Sequence, residues 1–304
     1  MKNQNELDKY LDELIDQAEL DIDNVFGKRM KSFLAQLGDM FNKYSSKGEL
    51  TYTDMTKYNR LQKELAFIAE QIHSDYAYLT EFIQNLMISQ YIENYFQSAF
   101  MYEFEAQKKM GYGQVNKTVI LAAVQNPIPE LTLPKLMEYN RNDTIRKIST
   151  EITQGLLAGE GYSTISKRIE KAVGFSSVKA RRVARTESHR AQVQGRIDSA
   201  DQASKYVDMT KMWDATLDRN TRDWHQKLDG TVIGKDENFT TPKGGNGKAP
   251  GHMNNASDDI NCRCTALYLV NGKKPSVRRA RLDNGKTNII PYTTYDEWKK
   301  ERIK

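Results

Sequence analysis

The sequence predicts an α+β protein, with a mainly helical N-terminal region followed by a small α+β C-terminal domain. Two observations predict it. Apolar residues recur at helical spacing over long stretches before residue 206. After Tyr206 the texture changes to short apolar patches set between turns rich in Gly, Asp and Asn. Composition agrees: 38% apolar residues can build real cores in a 304-residue chain, while 28% charged residues point to a water-soluble protein. No stretch approaches the ~18 uninterrupted apolar residues that a membrane span needs. The start, Met1-Lys2-Asn3-Gln4-Asn5-Glu6, carries no apolar segment of a secretory signal, so the chain is expected to stay in the cytoplasm.

The elements follow in order. Leu7, Leu11, Leu14, Ile15, Ala18, Ile22, Phe26, Phe33, Leu37 and Phe41 mark one or two amphipathic helices from Glu6 to about Tyr44. A turn is expected at Ser45-Ser46-Lys47-Gly48. A second helical region runs from about Thr53 to Lys109 and is dense in aromatics, among them Tyr76, Tyr78, Tyr91, Tyr95, Phe96, Phe100, Tyr102 and Phe104. Such aromatics serve a core or a partner surface. Asn126-Pro127-Ile128-Pro129 through Pro134 reads as a proline-punctuated connector. Three helices are then expected: Thr144 to about Ala158, closed by Gly159; Ser163 to about Val173, closed by Gly174; and one from Ser176 or Ser177 to about Lys205. Ser163 and Ser177 are read as N-caps. Beyond Tyr206, Met209–Trp213 and Ala266–Val270 are short apolar patches, and Asp229-Gly230 is a hairpin signal. The expected organisation is a helical region over 1–125, a connector over 126–143, an α+β domain over 144–270 and a basic tail over 271–304.

Charge is unevenly placed although the net value is only +5. Acidic residues crowd the start, from Glu6 through Asp8, Asp12, Asp16 and Asp23. Lys167, Arg168, Lys171, Lys179, Arg181 and Arg182 form a basic run, and Lys273, Lys274, Arg278, Arg279 and Arg281 a second. The pattern suggests an acidic end that faces a protein and basic segments that meet polyanions; solvated helix faces are the plainer alternative. Lysine and arginine in such a run neutralise phosphates without reading sequence, so the six residues of the first run are candidate contacts for double-stranded DNA, bound nonspecifically.

Four short motifs stand in order: Arg185-Thr186-Glu187; Trp213 with Asp218 and Arg222; His225 with Asp229-Gly230; and Asn261-Cys262-Arg263-Cys264. In this order and spacing they resemble the Mu F-like head morphogenesis domain of phage minor head proteins, over roughly Thr144 to Val270. One departure stands out: where many relatives carry His-Pro before the closing cysteines, this chain has Asp258-Asp259-Ile260. The resemblance implies a low-copy virion component of the capsid interior, made in the host cytoplasm and incorporated in the procapsid near the portal. It implies portal and head proteins and packaged DNA as partners, with a part in head assembly or DNA ejection, and no membrane.

The residue types also offer chemistry. His225, His252, Cys262 and Cys264 are a candidate zinc set, since thiolate and imidazole are that ion's usual ligands; packed thiols and hydrogen-bonded histidines are the alternative. Cys262 and Cys264 are too close in sequence for a relaxed disulfide. Glu187 and His225 could serve a nuclease or transferase delivered with the genome, but no phosphate-binding loop, nucleophile elbow or zincin motif accompanies them. The expectation is a non-enzymatic structural protein, the other readings being that delivered enzyme and a zinc-stabilised DNA-binding module.

Overall fold

A computed structural model describes residues 4–45, 50–281, 287–294 and 297. The fold is α+β: long helices through residue 203, then small antiparallel sheets. The helices are α1 (Gln4–Tyr44), α2 (Tyr52–Thr56), α3 (Arg60–Ala106), α4 (Lys117–Ala123), α5 (Leu133–Leu157) and α6 (Tyr162–Ala203). Then come β1 (Met209–Asp214), α7 (Asp223–Leu228), β2 (Val232–Gly234), β3 (Phe239–Thr240), β4 (Asn246–Gly247), α8 (Ala256–Asp259), β5 (Thr265–Val270), β6 (Val277–Arg281) and β7 (Thr287–Pro291). The turn expected at 45–48 lies outside the described residues except for Ser45.

The first helical region is one helix. Leu7, Leu11, Ile15, Ala18, Ile22, Phe26, Phe33, Leu37 and Met40 are its buried apolar positions, three, four or seven residues apart, and no proline interrupts them. Two expectations downstream are corrected. The connector ends sooner than read, because α5 begins at Leu133 with Pro134 in its first turn, where proline's missing N–H costs nothing. The two helices expected to meet at Gly174 are a single α6 of 42 residues. Gly174 keeps a helical backbone, and Ala172, Val173, Ser176 and Ser177 around it are buried, so packing overrides the glycine's weak propensity. Ser177 is therefore no N-cap; its hydroxyl donates to Asp23. Gly159 does close α5, with φ +65°.

The chain forms two compact units, one of Met1–Asp16, Gln84–Ile128 and Arg185–Lys304, the other of Gln17–Ile83 and Pro129–Ala184. This partition differs from the linear division at 125, 143 and 270, since α1, α3 and α6 each contribute to both units. In the second unit Phe26 meets Tyr76 edge to face at 6.0 Å, and Arg29 grips Asp75 through two nitrogens at 2.6 and 2.9 Å.

In the first unit β1 is the middle strand of the sheet β2-β1-β5, antiparallel to both neighbours, with Trp213 opposite Ala266. The two-residue period of β5 sorts its side chains. Ala266, Tyr268 and Val270 pack with Val193, Ile197 and Ala200 of α6, while Leu267 and Leu269 pack with Met212 and Tyr292. Both faces of β5 are thus covered. The Asp-Gly signal is a turn of a different kind from the hairpin expected: Gly230, at φ +75°, links α7 to β2.

Candidate functional site

The closing motif and α7 meet in the interior of the first unit. His225 is 1% exposed, and Cys262 and Cys264 are each 2% exposed. Nδ1 of His225 lies 3.7 Å from each Sγ. Its other ring nitrogen, Nε2, lies 3.1 Å from Oδ1 of Asp258. That carboxylate is fixed in turn, since Trp224 Nε1 donates to Oδ1 at 2.7 Å and Thr241 Oγ1 to Oδ2 at 2.9 Å. Gly245 lies so close that a Cβ there would collide with Asp258. Trp213 and Phe239 wall the cluster, the Trp213 ring standing edge-on to His225 at 5.1 Å. The thiols share their hydrogen bonding unequally: Cys264 lowers the pKa of Cys262, whereas that contact and burial push Cys264 well above the usual range.

Three of the four expected zinc ligands are thus together, and His252 is not with them. Its Nε2 meets the carbonyl of Arg190 at 3.0 Å, and burial holds its pKa down, to about 3. Asp258, Thr241 and Trp224 were not foreseen. The signal for them was the Asp258-Asp259 pair in place of His-Pro. Asp259 has its own task, its carboxylate accepting from the backbone N–H of Met253 at 2.9 Å and of Asn255 at 3.3 Å.

The remaining motif residues hold the fold around this cluster. Thr186 Oγ1 accepts the N–H of Asn261, whose φ of +56° turns the chain into Cys262. Arg185 reaches Asp16 at 2.6 Å. Asp218 accepts from Arg263 at 2.6 Å, and Arg222 donates to the carbonyl of Ile260 at 2.6 Å. Asp229 takes the N–H of Ala215 at 2.8 Å and two bonds from Arg278. Glu187 is 1% exposed beside Arg190 at 3.5 Å, and burial raises its pKa to about 7. Neither Glu187 nor His225 presents a side chain to solvent.

The charge runs divide. Arg278 is fully buried between Asp214 and Asp229, and Arg279 reaches Asp12 at 2.7 Å, so the second basic run is in part interior structure. The acidic start answers it: Asp8 meets Arg196 and Arg279, and Asp23 meets Arg181. In the first run Arg168 is held by Glu160 and Glu151, and Lys179 by Asp143. Lys167, Lys171 and Arg182 are exposed. At 3.6 residues per turn they lie within about 60° of one another on α6. The aromatics of α3 divide similarly: Tyr91, Tyr95 and Tyr102 are buried, while Phe96, Phe100 and Phe104 are 40%, 60% and 67% exposed.

Residues 146–267 match the family model described as Phage Mu protein F like protein. The chain is 50% identical to a protein of Bacillus phage SPP1 named minor head protein GP7, over 301 residues that make up 99% of this chain and 98% of that one. It is 33% identical over 191 residues to an Enterococcus faecalis (strain ATCC 700802 / V583) protein named NAD(+)--arginine ADP-ribosyltransferase EFV, covering 62% of this chain and 38% of that one. No solved structure matches the chain. Near-complete coverage at half identity, together with the matched domain, places the whole chain and not only its C-terminal part: it belongs to the phage Mu protein F-like family of minor head proteins.

Proposed function

We propose that the chain is incorporated in the procapsid beside the portal, contacts packaged DNA nonspecifically and aids head assembly or DNA ejection. Its place is then the capsid interior of the virion, reached from the host cytoplasm during assembly. The observation that carries the protein-binding part is the phenylalanine row of α3. Phe96, Phe100 and Phe104 are four residues apart and so share one helix face, with the last two rings stacked at 6.3 Å. Each large apolar side chain moved out of water contributes roughly 1.5–3 kcal/mol, so this row gives another head protein something to bury. The DNA part is supported by the exposed Lys167, Lys171 and Arg182. Among the described residues no helix is long and apolar enough to cross a membrane.

The reading includes no catalytic step. The transferase-named relative shares only 38% of its length with this chain, and Glu187 and His225 are buried and committed to Arg190 and to Asp258 with the two thiols. The test is retention of the purified chain on the portal protein of its phage, compared with the double variant Phe100→Asp, Phe104→Asp. Wild-type retention lost in the variant, with the helical circular dichroism unchanged, is the expected result. Absence of wild-type retention at low salt would overturn the portal assignment.

A further inference from the structure

We propose that His225, Cys262 and Cys264 hold one zinc-class cation that staples α7 to the segment leading into β5. The site stands independently of the portal and DNA assignments. Three observations carry it, and the first is distance. A tetrahedral ion with Zn–N near 2.0–2.1 Å and Zn–S near 2.3 Å sets nitrogen and sulfur about 3.6 Å apart. Both Sγ atoms stand 3.7 Å from Nδ1, and the three donor atoms lie within 4.8 Å of one another.

The second is the direction of the imidazole. Nε2 faces the Asp258 carboxylate, which accepts the ring proton and leaves the Nδ1 lone pair aimed at the sulfurs. A carboxylate behind a ligating histidine fixes its tautomer and raises its basicity. Asp258 is itself immobilised by Trp224 and Thr241, so the ring has one orientation to offer. Without an ion, that single lone pair accepts one S–H donor, although two thiols converge on it. A cation uses all three groups.

The third is charge. Two thiolates, a neutral imidazole and a divalent cation sum to zero, so a bound ion lets both thiols ionise against the wall of Trp213, Phe239 and Met253 without these donors adding net charge to the interior. Sulfur and nitrogen donors select zinc over calcium or magnesium, which take oxygen ligands. Among the described residues no fourth carboxylate, histidine or cysteine joins the group, so the last coordination position falls to a water molecule.

The test uses the full-length chain, expressed in zinc-supplemented medium and purified without a metal-affinity step. Elemental analysis is expected to give about one zinc per chain, with at least a tenfold loss in Cys262→Ser and Cys264→Ser. Because those variants could fail to fold, cobalt(II) exchange into the wild-type protein is the second readout. The chain has only two cysteines, so a thiolate-to-cobalt charge-transfer band in the near ultraviolet reports Cys262 and Cys264 and no other residue. Asp258→Asn should bind cobalt ~10–100-fold more weakly with the band retained. Wild-type protein that carries no zinc and develops no such band would overturn the site. So would zinc that stays undiminished in both cysteine variants.

Discussion

Glu187 carries a pH dependence that can be isolated by one substitution. Burial outweighs the attraction of Arg190 and raises its pKa from 4.5 to about 7. The folded state therefore binds a proton that the unfolded chain has released between these two values. The stabilisation is full below about 4.5 and is lost as the pH rises through about 7. Neutral Glu187→Gln cannot lose a proton, so its melting temperature should fall less than that of the wild type between pH 5 and pH 8. A difference on the order of 2–3 kcal/mol is the upper expectation at one pKa unit per 1.36 kcal/mol. Parallel melting curves at both pH values would count against it. The motif around Glu187 was legible in the sequence as an identity, because residue types and order suffice for that. Its electrostatics were not legible. Arg278 and Arg279 show why: both read as a cationic tail, yet their partners Asp229 and Asp12 lie 49 and 267 positions away, and a charge count does not distinguish a buried arginine from an exposed one.

Two glycines of α6 separate propensity from packing at the level of the helix. Gly174 looks like a stop in the sequence, but the helix runs through it, and an added Cβ there meets nothing within 4 Å. Gly174→Ala should therefore stabilise the protein by about 0.5–1 kcal/mol, the helix-interior cost of glycine relative to alanine. Gly195 is the opposite case, since its Cβ would stand 2.5 Å from the backbone carbonyl oxygen of Tyr91 on α3. Backbone cannot rotate away, so overpacking of about 1–3 kcal/mol outweighs the same propensity gain. Gly195→Ala should lower the denaturation midpoint, and Gly174→Ala should raise it. Equal shifts in the two variants would show that close approach does not decide these positions. The amphipathic period of α1 was readable because burial follows one stripe. The continuity of α6 was not, because its punctuation by Gly174 and Ser177 obeys local rules that burial of Ala172, Val173 and Ser176 overrides. The Asp-Gly turn is legible but its connection is not, since turn chemistry names the bend and not the elements it joins.

For the molecule as a whole, the internal pairing of charge decides which cations remain to meet DNA. Asp8, Asp12, Asp16 and Asp23 of the acidic start are answered by Arg196, Arg279, Arg185 and Arg181 of the same chain, so the asymmetry seen in the sequence is largely self-complementary. Within the first basic run, Lys167, Lys171 and Arg182 are exposed. Phosphate contacts release counterions, and each contributes about −0.9 to the slope of log K against log salt. The double variant Lys167→Ala, Lys171→Ala should thus weaken binding to two unrelated duplexes equally and flatten that slope by roughly two units. Arg181→Ala is the control, because that guanidinium is 3.1 Å from Asp23; it should leave the slope within about half a unit. Filter binding or fluorescence anisotropy across a salt series reads both. A slope that stays steep in the lysine variant, or one that flattens equally in the control, would move the DNA-facing surface off this row of α6.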